Sequence, residues 1–198
     1  MELTVDALGQ ECPLPVVRAK QALGTIEEGT VEVLVDNQTA VHNLESLAKT
    51  LRCASATTDR GDGSFAVSIT KDANSVQVAE GADATTGGTR VVVMSSDKMG
   101  SGDDELGEKL IKAFVFALTQ QDVLPDTIVF YNSGVHLSCE GSEVLEDLQK
   151  LADAGVELLS CGVCLNHFGL EEKLAVGEVS NMYVILEKQL QAGVVVRP

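Results

Sequence analysis

Gln10-Glu11-Cys12-Pro13-Leu14-Pro15-Val16-Val17 sets a lone cysteine directly before two closely spaced prolines. Proline lacks an N–H and fixes φ near the helical value. Pro13 therefore suits a first helical position, and Pro15 is still tolerated within the first turn. The spacing predicts a helix that starts here with Cys12 at its N-cap. A sulfur there faces unpaired N–H groups and the positive end of the macrodipole, which favours the thiolate, the reactive form of a thiol. The competing reading is a small buried cysteine beside a stiffened turn. Cys12 falls outside any apolar periodicity, which favours the reactive reading. No His or Asp offers itself nearby as a base, and His42 is remote in sequence. Hydrolysis is thereby disfavoured; thiol exchange or sulfur carriage needs only a thiolate.

Outward from this stretch, residues 2–6 alternate as a short strand does. The Cys12 helix carries Leu14, Val17 and Ala22 on one face and ends at Gly24. Thr30-Val-Glu-Val-Leu-Val-Asp36 reads as a strand, and residues 37–51 as a helix with Val41, Leu44, Leu47, Ala48 and Leu51 inward. Residues 53–58 and 65–70 are strands joined by the turn signal Gly61-Asp62-Gly63. The order βαβαββ implies a two-layer α/β sandwich over residues 1–72, with both helices on one face of the sheet.

Residues 73–89, including Glu80-Gly-Ala-Asp-Ala-Thr-Thr-Gly-Gly-Thr89, are small and polar and read as a linker. A second domain follows over 90–198. Arg90-Val-Val-Val-Met-Ser95 is a continuous apolar strand of the buried, parallel-sheet kind. A helix over 105–121 is expected to turn Leu106, Leu110, Ala113, Phe114, Ala117 and Leu118 inward. Strands at 127–131, 156–159 and 193–196 and helices within 141–155 and 181–191 complete it, with a short helical piece near Leu170. Alternating strands and helices argue for a parallel sheet covered on both faces, a three-layer α/β domain. Ligand and reaction sites in such sheets lie at the carboxyl ends of strands. Those ends carry Ser95-Ser96-Asp97, Asn132-Ser133-Gly134-Val135-His136 and Ser160-Cys161-Gly162-Val163-Cys164.

Composition narrows the partners. The 198 residues carry a net charge of −16, divided as −5 over residues 1–72 and −11 over the rest. Such a surface repels phosphates, so neither nucleic acid nor an anionic membrane is an expected partner, and basic protein surfaces fit better. No apolar run reaches the ~18 residues that span a bilayer, and Met1-Glu2-Leu3-Thr4 has no basic leader pattern. A cytoplasmic protein is expected. Five cysteines make no disulfide framework and leave at least one unpaired.

Cys161 and Cys164 form a Cys-x-x-Cys loop after a strand, with three readings open. They are a redox pair or sulfur acceptor, metal ligands together with His167 and Cys139 or His136, or small core residues, Cys164 especially. No second Cys-x-x-Cys supports the metal reading, so no metal and no organic cofactor are expected, and Cys161, nearest the strand end, is the favoured thiol. Cys53 reads as core, Cys139 as an exposed loop residue, and His136 as a group that could orient or activate a thiol. Gly100-Ser101-Gly102 lacks the Gly-Lys-Ser/Thr ending of a phosphate loop, and Asp103-Asp104-Glu105 would repel phosphate.

Cys-Pro-Leu-Pro after a short strand, with a basic residue in the helix and the βαβαββ order, resembles the TusA/SirA family of small sulfur carriers. The second domain resembles the DsrE/DsrF-like fold. The tandem, with Gly100-Ser-Gly-Asp-Asp-Glu-Leu-Gly107 after the first strand, looks like the YedF proteins associated with selenium metabolism. The resemblance implies a sulfurtransferase-like chain. A persulfide forms on Cys12, supported by Pro13 and Pro15, and passes from a protein donor to a protein acceptor or to Cys161. The rivals are a dithiol oxidoreductase using Cys161 and Cys164, and a non-enzymatic module whose second domain forms a homo-oligomer.

Overall fold

The computed structural model describes residues 2–11, 13–72, 75 and 88–198. The chain divides into two compact units, Met1–Glu80 and Gly81–Pro198. The linker read over 73–89 falls outside the described residues except at Ser75, Gly88 and Thr89.

In the first unit, β1 (Glu2–Asp6), α1 (Leu14–Gly24), β2 (Gly29–Val35), α2 (Gln38–Thr50), β3 (Ala54–Asp59) and β4 (Phe65–Lys71) form a four-stranded sheet in the order β1-β2-β4-β3. β1 and β2 are parallel, and β4 runs antiparallel to both of its neighbours. Gly61 and Gly63 take φ of 76° and 87° in the β3–β4 turn, where a side chain would be strained. The core joins Val31, Val33, Val35, Val67 and Ile69 of the sheet to Ala19, Leu23, Val41, Leu44 and Ala48 of the helices. α2 buries the stripe its periodicity implies. α1 does not: its buried residues are Pro15, Ala19 and Leu23, while Leu14 is exposed. Pro15 supplies apolar surface as well as a turn, and that rotates the inward face by one residue. Lys71, at the end of β4, is buried and donates from Nζ to the carbonyls of Leu23 and Ile26 at 3.0 and 2.8 Å. Carbonyls at a helix end have no partner within the helix, and the ammonium satisfies them here.

The second unit contains β5 (Arg90–Met94), α3 (Asp104–Thr119), β6 (Thr127–Phe130), α4 (Leu145–Asp153), β7 (Glu157–Cys161), α5 (Gly162–Phe168), β8 (Glu178–Ser180), α6 (Met182–Gln191) and β9 (Val194–Val196). Its sheet is parallel throughout, in the order β8-β7-β6-β5-β9. Alternate strand residues divide between two cores. Val92, Met94, Ile128, Phe130 and Leu158 meet α3, α4 and Leu165 of α5. Val91, Val93, Val129, Leu159 and Cys161 meet Ile185 of α6. Asp103 caps α3, its carboxylate accepting from Leu106 N–H at 2.8 Å, which fits the acidic start of that helix. The helix buries Gly107, Ile111 and Val115, with Phe114 and Leu118 partly buried and Leu106 and Leu110 exposed, so its expected stripe is rotated by about one residue. Two expected loops are helical: Asn132–Ser138 is a 3₁₀ segment and Gly162–Phe168 is α5. α6 leaves Met182, Tyr183, Leu186 and Leu190 exposed beside the exposed valines of β9.

Candidate functional site

Each helix of the first unit follows a parallel strand, so both begin at the same edge of the sheet. The two strand–helix loops are tied there by Gly9 N–H donating to Asp36 Oδ2 at 2.8 Å, while Arg18 Nη1 donates to Asp6 O at 2.7 Å. The Gly9 N–H, with the Asn37 amide, holds the Asp36 carboxyl below its usual 3.8. Asn37 caps α2 by accepting from Ala40 N–H at 2.8 Å. A cleft of about 240 Å³ lies between the two helix starts, lined by Glu11, Pro15, Val16, Asn37, Thr39, Ala40 and Asn43. Cys12, on which the sequence places the chemistry, lies outside the described residues. Its neighbours correct one expectation. Pro13, not Cys12, is the N-cap, and α1 starts at Leu14 with Pro15 in the first turn. The Pro13 carbonyl accepts from Val16 and Val17, both at 3.1 Å, so the missing proline N–H costs the helix nothing at that position. The Gln10 side-chain oxygen, two residues before the cysteine, is buried with no hydrogen-bond partner among the described residues.

In the second unit the carboxyl ends of β5, β6 and β7 share one edge, as their parallel pairing requires. Asp97 and Ser133 join the first two loops, Ser133 Oγ donating to Asp97 Oδ1 at 2.8 Å. A Cβ at Gly134 would collide with the Met94 carbonyl, so only glycine lets the Asn132–Ser138 segment lie this close to β5. Asn132 takes φ of 51°, a left-handed conformation that Asn tolerates better than most residues. From there its N–H donates to Cys164 Sγ at 3.1 Å.

The two cysteines differ from the expected assignment. Cys161 ends β7 and caps α5; it is 2% exposed, packed in the core under α6. Cys164, one turn into α5, is half-buried and is the more accessible thiol of the two. β7 runs two residues beyond its expected end, carrying Cys161 into the sheet interior. Burial pushes the Cys164 thiol above its ordinary 9.0, and the nearby Cys161 thiol adds to this while the Asn132 N–H opposes it. Cys139 is also buried rather than exposed, because its segment folds inward and bridges to Leu174; burial raises its thiol too. Cys53 is partly buried against the first core, as its apolar neighbours imply. His136 packs its ring against Phe168, centroids 4.7 Å apart, and lines an acidic cleft of about 310 Å³ with Asp97, Glu108 and Glu140. His167 packs on the other aromatic contact of Phe168 at 5.0 Å. Among the described residues no group of three or more His, Cys, Asp or Glu side chains is arranged to hold a metal ion. None of their helices is long and apolar enough to cross a membrane.

Sequence comparison assigns both units. Residues 3–71 match the family model described as Sulfurtransferase TusA, and residues 92–198 match that of the DsrE/DsrF-like family. The chain belongs to the DsrE/DsrF-like family and carries a TusA domain ahead of it. Both are sulfur-transfer-related domains. A SirA-like protein from Desulfitobacterium hafniense is 42% identical over 35% of this chain and 96% of its own, with a TM-score of 0.34. A protein of unknown function from Methanobacterium thermoautotrophicum is 25% identical over 56% of this chain and 99% of its own, with a TM-score of 0.42. No curated protein matches the sequence.

Proposed function

We propose that the chain carries sulfur, or selenium, as a persulfide-type adduct on Cys12 and delivers it through thiol exchange. The observation that supports this reading is that Pro13, Leu14 and Pro15, which follow Cys12 in the chain, open α1 beside the start of α2, within the residues that match the sulfurtransferase model. In the transfer, the Cys12 thiolate attacks the terminal sulfur of a donor persulfide, the S–S bond breaks, and the donor leaves as its thiolate. The reaction uses no metal and no organic cofactor. Delivery is the same exchange in reverse, to a partner protein or to the second unit, where Cys164 rather than Cys161 meets the incoming sulfur because it is the accessible thiol.

Donor and acceptor are proteins of a cytoplasmic relay, and the charge of −16 selects basic docking faces on them. The second unit also binds a second copy of the chain through α6 and β9. Residues 182–196 carry only Glu187 and Lys188 as charges, so this exposed apolar face escapes the repulsion between acidic copies.

The test is direct. Wild type exposed to a persulfide donor should gain the mass of one sulfur on the peptide containing Cys12, and Cys12→Ala should lose that label completely. Wild type that gains no sulfur on this peptide, or a Cys12→Ala chain whose total added sulfur equals wild type, would sink the assignment.

A further inference from the structure

The Cys161/Cys164 pair is built unlike a simple acceptor. An acceptor in a relay needs one accessible thiol, and a second thiol beside it threatens the cargo. Here the second unit places Cys161 at the N-cap of α5 and Cys164 at the third helical position, with Gly162 and Val163 between. Side chains three apart at a helix start lie on one face, with Cβ atoms about 5–6 Å apart, so the pair must draw in by about 1–2 Å to close a disulfide. The two thiols already lie within side-chain hydrogen-bonding reach of each other. Burial separates their roles. Cys161 is shielded beneath α6, and Cys164 reaches the edge where the Asn132 N–H contacts its sulfur. An outside thiol or persulfide therefore meets Cys164 first, and Cys161 reacts only with what Cys164 holds.

We propose that this pair discharges the sulfur reductively: Cys164 accepts it as a persulfide, and Cys161 resolves that persulfide to release hydrogen sulfide, or selenide where the cargo is selenium. This deepens the sulfur-transfer reading and rests on it. The steps balance. The Cys164 thiolate takes the terminal sulfur of the donor, R–S–SH, and the donor leaves as R–SH. The Cys161 thiolate then attacks Cys164 Sγ, forming the Cys161–Cys164 disulfide and expelling HS⁻, which leaves as H₂S after protonation. The sulfane sulfur gains two electrons, and the two cysteines lose them. An external dithiol reductant returns the pair to its starting state.

A single-turnover experiment on the full chain tests it, with glutathione persulfide as donor, no reductant, and a protein-free blank. Wild type should release a burst of sulfide approaching one per chain, and peptide mapping should find Cys161 joined to Cys164. Cys161→Ala should lose the burst and retain the mass of one added sulfur on Cys164; Cys164→Ala should give neither. Sulfide from Cys161→Ala equal to wild type would overturn the proposal. So would wild type that keeps a persulfide on Cys164 with Cys161 free, a result that needs no variant to fold. Labelling of Cys12 is read separately in the Cys161→Ala/Cys164→Ala double variant. Label there without a wild-type burst rejects the discharge step alone, and loss of both rejects the sulfur-transfer reading itself.

Discussion

The two units solve the same topological problem and distribute their cysteines differently. Each brings loops together at the carboxyl ends of parallel strands, β1 and β2 in one, β5, β6 and β7 in the other. In the first unit the only other cysteine is Cys53, just beyond the far end of α2. A 13-residue helix is about 20 Å long, so that thiol stands at the opposite edge from the helix starts. In the second unit two thiols sit one helical turn apart where β7 passes into α5, at the carboxyl-end edge of the sheet. A lone thiol holds a persulfide because nothing beside it can resolve the S–S bond, whereas a pair empties it. On the proposed reading, spacing between cysteines, more than their individual reactivity, separates carrier from discharge site.

The largest structural effect that would break this contrast is expected at Gly134. Its close approach to Met94 holds the Asn132–Ser138 segment in place, and with it the N–H on Cys164. Gly134→Ala must push the segment away from backbone that cannot yield, at about 3 kcal/mol by the usual cost of overpacking. Urea unfolding of the second unit should show that loss, and the sulfide burst should fall with it while Cys12 labelling persists. An unchanged burst in a folded variant would mean that the Asn132 contact contributes nothing to the pair.

How much of this contrast the chain advertises depends on element length. β1 starts and stops at the residues its pattern implies, and β5 starts at Arg90 as expected and ends at Met94, one residue short, because alternation and a bounded valine run are local signals. The stripes of α1 and α3 come out rotated, since packing partners decide which of two adjacent apolar rows turns inward. α5 has seven residues and opens on Gly162-Val163, too short for a helical period to show, and β8 has three. The Cys-x-x-Cys pair therefore reads as a loop, and its inner and outer members are exchanged. Strand length was the missing quantity: two further residues of β7 carry Cys161 indoors. No sequence signal marks Asn132 as the donor to Cys164, because the contact joins residues 32 apart through two different strands' loops.

A smaller effect sharpens the first side of the comparison. Lys71 satisfies the Leu23 carbonyl in the last turn of α1 and the Ile26 carbonyl just beyond it, and Lys71→Met leaves them buried without this donor. The expected loss is about 2 kcal/mol, within the range for unsatisfied buried polar groups. Hydrogen exchange in α1 and β4 should report it, with the Cys161–Cys164 burst unaltered. Protection equal to wild type would show that water reaches those carbonyls without cost.

The smallest effect concerns Asp36, which joins the two strand–helix loops at the edge where α1 and α2 begin. Its carboxylate accepts from Gly9 N–H, and this bond, followed by that from the Asn37 amide, lowers its pKa below 3.8. A depressed carboxyl stabilises the fold above its unfolded value, and the contribution is lost as pH falls through the folded value. The tie between the loops is thus complete at neutral pH and opens only in acid. The Gly9 amide proton shift, followed by NMR, should titrate with a midpoint below 3.8 and should not titrate in Asp36→Ala. That variant should also slow Cys12 labelling at neutral pH and leave sulfide release from the second unit unchanged. A Gly9 midpoint at or above 3.8 would remove the tie. Slower release in Asp36→Ala, measured with donor supplied directly to Cys164, would show that the two sites do not act as separable chemistry.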